Sequence, residues 1–351
     1  MTTRLEQILD FLGSKALMLP ELLHAVTGVA PAGDRVIDLF SGTGIVSRHF
    51  ADNGYEVHAN DVLPLASVWA RAQITVDEVP RFSGLVGVEL QHGSEYESVI
   101  DHLKSLEPVE GWVTRSFTPR SAAISEHSRQ YFTVQNGMRI DAIRMQVRAW
   151  RPYLTSAENS LLRCALVAAA DRVSNTAGTY GSYLKSWKRS ALVELQLRPL
   201  DFKVRDMSHV VTQDDAQAVA EQVDAGVAYI DPPYTKRQYA AYYHVLNALV
   251  EDAEADVSGK TGLGDWRRWE SAWCYSRKAP AALESLAKGM RARSLVMSYS
   301  SDGHIPHETV LEILGSQGKT TFTEVRRRRF RSSALEHRST HVFERVYVVT
   351  R

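Results

Sequence analysis

The segment DRVIDLFSGTGIVSRHFADNGYEVHANDVLPLASVWARAQI, residues 34–74, switches hydrophobic period repeatedly and so leaves little choice of architecture. RVIDL is a short apolar run of the kind buried in a parallel sheet; Ser41-Gly42-Thr43-Gly44 breaks it, and Ile45, Val46 and Phe50 then recur at helical spacing. YEVHAND reads as the next strand, followed by another helix. The same alternation resumes late in the chain. DFKVRD, GVAYID and SLVMSY read as strands, QDDAQAVAEQV, YAAYYHVLNALVED and HETVLEIL as helices, and TFTEVRRRRF with HVFERVYVVT as a closing strand pair. Strands alternating with helices and ending in a hairpin predict an α/β fold with a mixed sheet and an antiparallel edge hairpin.

Residues 76–200 interrupt this pattern. IDAIRMQVRAW and SAENSLLRCALVAAADRVSN are helical, the second with serine and glutamate as capping residues. The expected organisation is therefore a first α/β part over residues 1–75, a mainly helical insertion over 76–200, and a second α/β part over 201–351. A chain of 351 residues, 44% hydrophobic and 23% charged, can bury a large core. Its 41 basic residues balance 41 acidic ones, so only local clusters can speak for nucleic acid. Cys164 and Cys274 stand far apart without Cys-x-x-Cys or Cys/His spacing, which fits a reducing compartment and disfavours structural zinc. The opening residues MTTRLEQILDFLGSK lack a signal-peptide pattern, and no apolar stretch approaches about twenty residues. The expectation is a soluble, cytoplasmic protein without a metal.

A strand ending in Asp38, followed by Gly42-Thr43-Gly44 at a helix start, has the form of a nucleotide-binding turn, in which glycines let the backbone approach a ligand. Ser47 stands where a dinucleotide fingerprint would need its third glycine, which weakens a nicotinamide or flavin reading. Asp61 ends the next strand, where a carboxylate can accept both hydroxyls of a ribose. Spacing alone leaves open the alternative that the glycines serve close helix-to-strand packing. VAYIDPPY then delivers Asp231 to the carboxyl end of a later strand, where open α/β sheets bind their ligands. Pro232 and Pro233 have fixed φ and no N–H, and Tyr234 supplies a flat aromatic face. Acceptors converging beside a stacking surface suit the amino group of a flipped planar base; a plain proline turn is the competing reading.

DLFSGTG and YIDPPY resemble the cofactor and catalytic motifs of S-adenosylmethionine-dependent amino methyltransferases. More narrowly, the chain resembles the Dam-type (alpha-group) adenine-specific DNA methyltransferases of restriction-modification systems. LGSKALMLPELL has the form of their opening lysine motif, and FTVQNGMRIDAIR, VSNTAGTYGSYLKSWKRSA, DPPYTKRQYAAYYHVLNAL and MSYSSDG look like further segments of one subgroup. The likeness runs from about residue 10 to 350; a serine stands in DLFSGTG where relatives often carry alanine or another small residue. It implies a Rossmann-like methyltransferase sheet with the helical insertion as target-recognition region. It also implies S-adenosylmethionine held by Lys15, Asp38, Phe40, Ser41, Gly42, Gly44 and Asp61. Asp206, at the end of DFKVRD, matches a residue that touches the cofactor's adenine in relatives, though an aspartate there also reads as a helix cap. Asp231, Pro232, Pro233 and Tyr234 are the expected catalytic residues.

Duplex DNA is the expected partner, together with a possible cognate restriction endonuclease acting on the same site. Lys185, Lys188 and Arg189, read as lying within about one helical turn, and Lys236 and Arg237, directly after the catalytic motif, are the candidate DNA contacts. The run RRRRFR offers Arg326 to Arg329 and Arg331, either as a phosphate grip or as the charged guard of an edge strand. Two other functions compete: an RNA adenine methyltransferase, and a catalytically silent DNA-binding relative, which the intact Asp231-Pro232-Pro233-Tyr234 disfavours.

Overall fold

The computed structural model describes residues 13–328 and 341–351. Two compact units divide the chain. One comprises Ser14–Val62, Met207–Gln238 and Glu270–Arg351, and the other includes Leu63–Asp206 and Tyr239–Trp269. The divisions thus fall at 63 and 206 where the sequence suggested 76 and 200. The stretch after the proline motif also groups with the helical unit.

The first unit is built on one seven-stranded sheet: β1 (Arg35–Asp38), β2 (Glu56–Asn60), β3 (Val210–Thr212), β4 (Ala225–Ile230), β5 (Ala292–Ser300), β6 (Lys319–Arg328) and β7 (His341–Thr350). Their order is β3-β2-β1-β4-β5-β7-β6. The first five run parallel, and β7 lies antiparallel to both β5 and β6. Every residue of β4 is buried, as expected of a central strand covered on both faces. On one face Ile37, Ile230, Met297 and Val349 pack with Leu283, Leu286, Val310 and Leu314 of helices Ala279–Gly289 and His307–Gly315. On the other, Phe50 of helix Ile45–Asp52 meets Tyr229 edge to face at 5.7 Å.

One expected strand is corrected. DFKVRD forms none: the amide of Arg205 bonds the carbonyl of Val76, and Phe202 packs near Tyr96. Alternation in that hexapeptide serves the helical unit, while β-branched Val210, Val211 and Thr212 pair with His58, Ala59 and Asn60 as β3.

The second unit is helical, with Pro64–Ile74, Glu95–Ser105, Val134–Trp150, Ser156–Arg172 and His244–Val250 as its main elements. Trp69, Phe82, Phe117, Tyr131, Leu162 and Leu246 are buried in its core. Thr155, not Ser156, caps helix Ser156–Arg172, and Glu158 returns the bond to the Thr155 amide. Inside Val134–Trp150, Asp141 takes bonds from the amides of Gly111, Val113 and Thr114, fixing the start of helix Trp112–Phe117. A side chain at Gly111 would put Cβ 2.6 Å from the carboxyl carbon of Asp141. Among the described residues no helix is long and apolar enough to cross a membrane.

Candidate active site

The chain leaves β1 outward to β2 and β3, then returns to β4 on the other side of β1, so the sheet reverses direction between β1 and β4. In open α/β sheets such a switch point is where ligands bind, outside the carboxyl ends of the strands. Asp38 ends β1 opposite Tyr229, Asp61 follows β2, and Asp231 follows β4. Asp231 and Asp61 both raise the pKa of Asp38, so the three carboxylates share one field.

The glycine turn is built from backbone that only glycine adopts readily: Gly42 and Gly44 have φ of 51° and 72°. The amide of Gly42 donates to Asp61 Oδ2 at 2.9 Å, tying the turn to the end of β2. Ser47 Oγ donates to Asp38 Oδ2 at 2.6 Å, which gives the residue in the third glycine's place a task of its own. Burial pushes Asp38 up to about 7 against the pull of Ser47. Among the described residues, Asp38 Oδ1 and the hydroxyl of Ser41 are buried without a hydrogen-bond partner that meets distance and angle criteria, although the Phe40 amide lies close enough to pull the Asp38 pKa down. Unpaired buried polar atoms are costly, and two at one turn mark where a polar ligand belongs. The ring of Phe40 meets Trp273 edge to face at 5.5 Å. These residues fit S-adenosylmethionine: orphaned acceptors, an acid at the end of β2 and a turn without side chains.

Around the proline motif the geometry is tighter. Lys15 is buried, with its ammonium 3.1 Å from Asp231 Oδ1, 3.4 Å from Glu344 Oε2 and 5.1 Å from the centre of the Tyr234 ring. It thus meets residues of the proline motif and β7, where the family likeness assigned it to the cofactor. Ser298 Oγ donates to the same Asp231 Oδ1 at 3.0 Å. The Lys15 ion pair and the Ser298 hydrogen bond thus both fall on Oδ1. Burial pushes Asp231 up to about 6, held back by Lys15 and raised further by Glu344. Pro232 is buried, and Tyr234 is half-buried with its carbonyl bonded by the amide of His304.

The curve of the sheet brings these groups together but not all the expected ones. Asp206 lies exposed before β3, in a segment that forms no strand, and Asp214 is an acid that follows β3. The helix expected over Lys185 to Arg189 is also corrected. Asn175 accepts from the amide of Lys188 and donates to the carbonyl of Leu184, which holds the segment as a loop. Lys185 is exposed on that loop, Arg189 is exposed at the start of the 3-10 turn Arg189–Leu192, and Lys188 bonds the carbonyl of Thr176. Lys236 and Arg237 are exposed beside the proline motif. Arg327 turns inward to Leu17, Met18 and Glu21, so it guards the fold's edge rather than standing free. Arg329 and Arg331 lie outside the described residues. Glu344 and Ser298 were missed; the readable signal for Glu344 was an acid on the same strand face as Val346 and Val348.

Comparison with known proteins decides the family. A model of D12 class N6 adenine-specific DNA methyltransferases matches residues 11–294. The chain belongs to this family. It is 32% identical over 349 residues to the type II methyltransferase M.NlaIII of Neisseria lactamica, covering 97% of this chain and 99% of that protein. It is 31% identical to the type II methyltransferase M.FokI of Planomicrobium okeanokoites over 93% of this chain and 50% of the relative. The modification methylase StsI of Streptococcus sanguinis shares 31% identity over 87% of this chain and 46% of its own length. The chain therefore spans about half of the last two relatives and nearly all of M.NlaIII.

Proposed function

We propose that this member of the D12 family is a site-specific DNA methyltransferase, acting on the exocyclic amine of an adenine flipped out of duplex DNA. The observation that carries the reading is Asp231 at the β1/β4 switch point, with carboxylate oxygen Oδ1 fixed by Lys15 and Ser298; Oδ2 is the oxygen we assign to the substrate. S-adenosylmethionine, when bound, supplies the methyl group as an electrophile. The adenine amine is a poor nucleophile because its lone pair is delocalised into the ring. Asp231 Oδ2 and the carbonyl of Pro232 accept its two hydrogens, draw the nitrogen toward tetrahedral geometry and stabilise positive charge as it develops. Tyr234 stacks on the extruded base and offsets part of the few kcal/mol that unstacking costs. With S-adenosylmethionine bound, the methyl group would pass directly to the nitrogen with S-adenosylhomocysteine as the leaving group, and one amine proton would then leave to solvent.

Asp38, Ser41, Gly42, Gly44 and Asp61 are the residues assigned to the cofactor, with Asp61 on its ribose and Asp214 in the place that the family likeness gives to Asp206. Lys236 and Arg237 are assigned to the phosphates around the extruded nucleotide, and Lys185 and Arg189 to more distant ones. The relatives' names, type II methyltransferase and modification methylase, support a place in a type II system; an endonuclease acting on the same site is our own extension of the reading. The test is transfer of labelled methyl to duplex DNA and, separately, to RNA, with nucleosides resolved after digestion. Label in N6-methyladenine from DNA is the expected result. Label found solely in RNA, or on another base, overturns it.

A further inference from the structure

Lys15 and Asp231 leave one charged group of the buried cluster unexplained. Glu344 sits in β7, opposite Ser300 of β5, at a buried position on the strand face it shares with Val346 and Val348. A carboxylate there is costly unless its charge is paired. It pairs with the Lys15 ammonium, which it shares with Asp231. Two carboxylates on one ammonium leave the trio one net negative charge, beside the position that the functional reading gives to the target amine.

We infer that Glu344 is a positioning residue for methyl transfer: it takes up part of the Lys15 charge, so that Asp231 remains a strong anionic acceptor. The inference rests on the functional reading above. Were Lys15 paired with Asp231 alone, the ion pair would be neutral, and the carboxylate would have less to offer a nitrogen that becomes positive as the methyl arrives. Glu344 also holds the ammonium from the β7 side, so the lysine has an anchor when Asp231 turns its other oxygen to the substrate. Among the described residues, the charged and titratable groups that interact with Asp231 include Lys15 before helix Leu19–Thr27, Asp38 on β1, Tyr229 on β4, Tyr234 on the following loop and Glu344 on β7. Of these Glu344 is the anion that most raises Asp231.

That electrostatic role predicts something an ordinary structural ion pair does not. Removing the Glu344 charge should let Lys15 pull Asp231 down, so the acid limb of kcat/KM moves to lower pH while the plateau rate falls. The experiment measures single-turnover methyl transfer to duplex DNA by the full chain across pH, for wild type, Glu344→Gln and Glu344→Asp. Glu344→Gln should lower the plateau by at least ~10-fold, short of the ~10²–10³ loss expected for a direct transition-state bond. Cofactor affinity should be unchanged, and Glu344→Asp should recover part of the rate. In a cycle with Lys15→Gln, the second loss should be far smaller once the first is present, because Glu344 acts through Lys15. A wild-type rate in Glu344→Gln, an unmoved acid limb, or additive losses in the cycle overturn the inference while leaving the functional reading intact. Should Glu344→Gln not fold, the limb of Glu344→Asp and the losses relative to Lys15→Gln decide it. A wild-type chain that methylates no adenine in DNA overturns both.

Discussion

At the residue scale the account turns on what Asp231 contributes. Lys15 and Ser298 hold Oδ1, which orients the carboxylate, and the proposed function assigns Oδ2 to the substrate. Asparagine keeps an acceptor oxygen in nearly the same place, and alanine keeps none. Asp231→Asn should therefore retain measurable single-turnover transfer, whereas Asp231→Ala should lose at least ~10²–10³. Equal and complete loss in both, with cofactor binding intact, would assign Asp231 an essential proton-accepting role instead.

Asp61 has a double role, since it bonds the amide of Gly42 and lies at the end of β2. Asp61→Ala is expected to weaken S-adenosylmethionine binding by about 1.5–3 kcal/mol, as for hydrogen bonds to a charged group. Calorimetry that finds unchanged affinity removes Asp61 from the cofactor site. Asp38 makes a separate prediction. Burial raises it from 3.8 to about 7, so the folded chain holds this proton more tightly than the unfolded chain does. Its contribution is therefore present at low pH and is lost as pH rises toward about 7. Asp38→Asn should flatten that part of the melting-temperature profile; an unaltered slope would show that Asp38 does not titrate there.

At the scale of elements, the strands that carry the site were legible and the segments that pack elsewhere were not. β4 is a continuous apolar run, β1 a short one and β2 an alternating strand; they are bounded by a glycine turn, an aspartate or two prolines, and each signal is local. DFKVRD misleads because alternation is equally what a loop shows when it lays Phe202 on a neighbouring core and exposes Lys203 and Val204. Lys185 to Arg189 mislead for a similar reason: the loop is set by Asn175, about ten residues earlier, whose side chain bonds the backbone of Leu184 and Lys188. No helical period could reveal such a long-range clasp. The loop's charges can be tested directly. Alanine at Lys185 and Arg189 should each flatten the log–log salt dependence of DNA binding by about 0.9 for every phosphate that the loop no longer neutralises. Lys188→Ala should change it less, because its ammonium already bonds Thr176. An unchanged slope in all three variants would make this a solvated loop.

At the scale of the whole molecule, seven strands in the order β3-β2-β1-β4-β5-β7-β6 gather residues from both ends of the chain. Lys15 and Glu344 are 329 residues apart yet meet at Asp231. Sequence motifs identified two members of that meeting and missed the third, because Glu344 acquires its partner only when β7 inserts between β5 and β6. The helical unit has its own core, and the proposed function assigns to it the reading of DNA sequence. The measurement that tests the central claim most directly is single-molecule sequencing of DNA from cells expressing either the wild-type chain or Asp231→Ala. N6-methyladenine at one short sequence in the first sample, and its loss in the second, is the predicted result. An unmodified genome in the first sample, or the same modification in both, contradicts it.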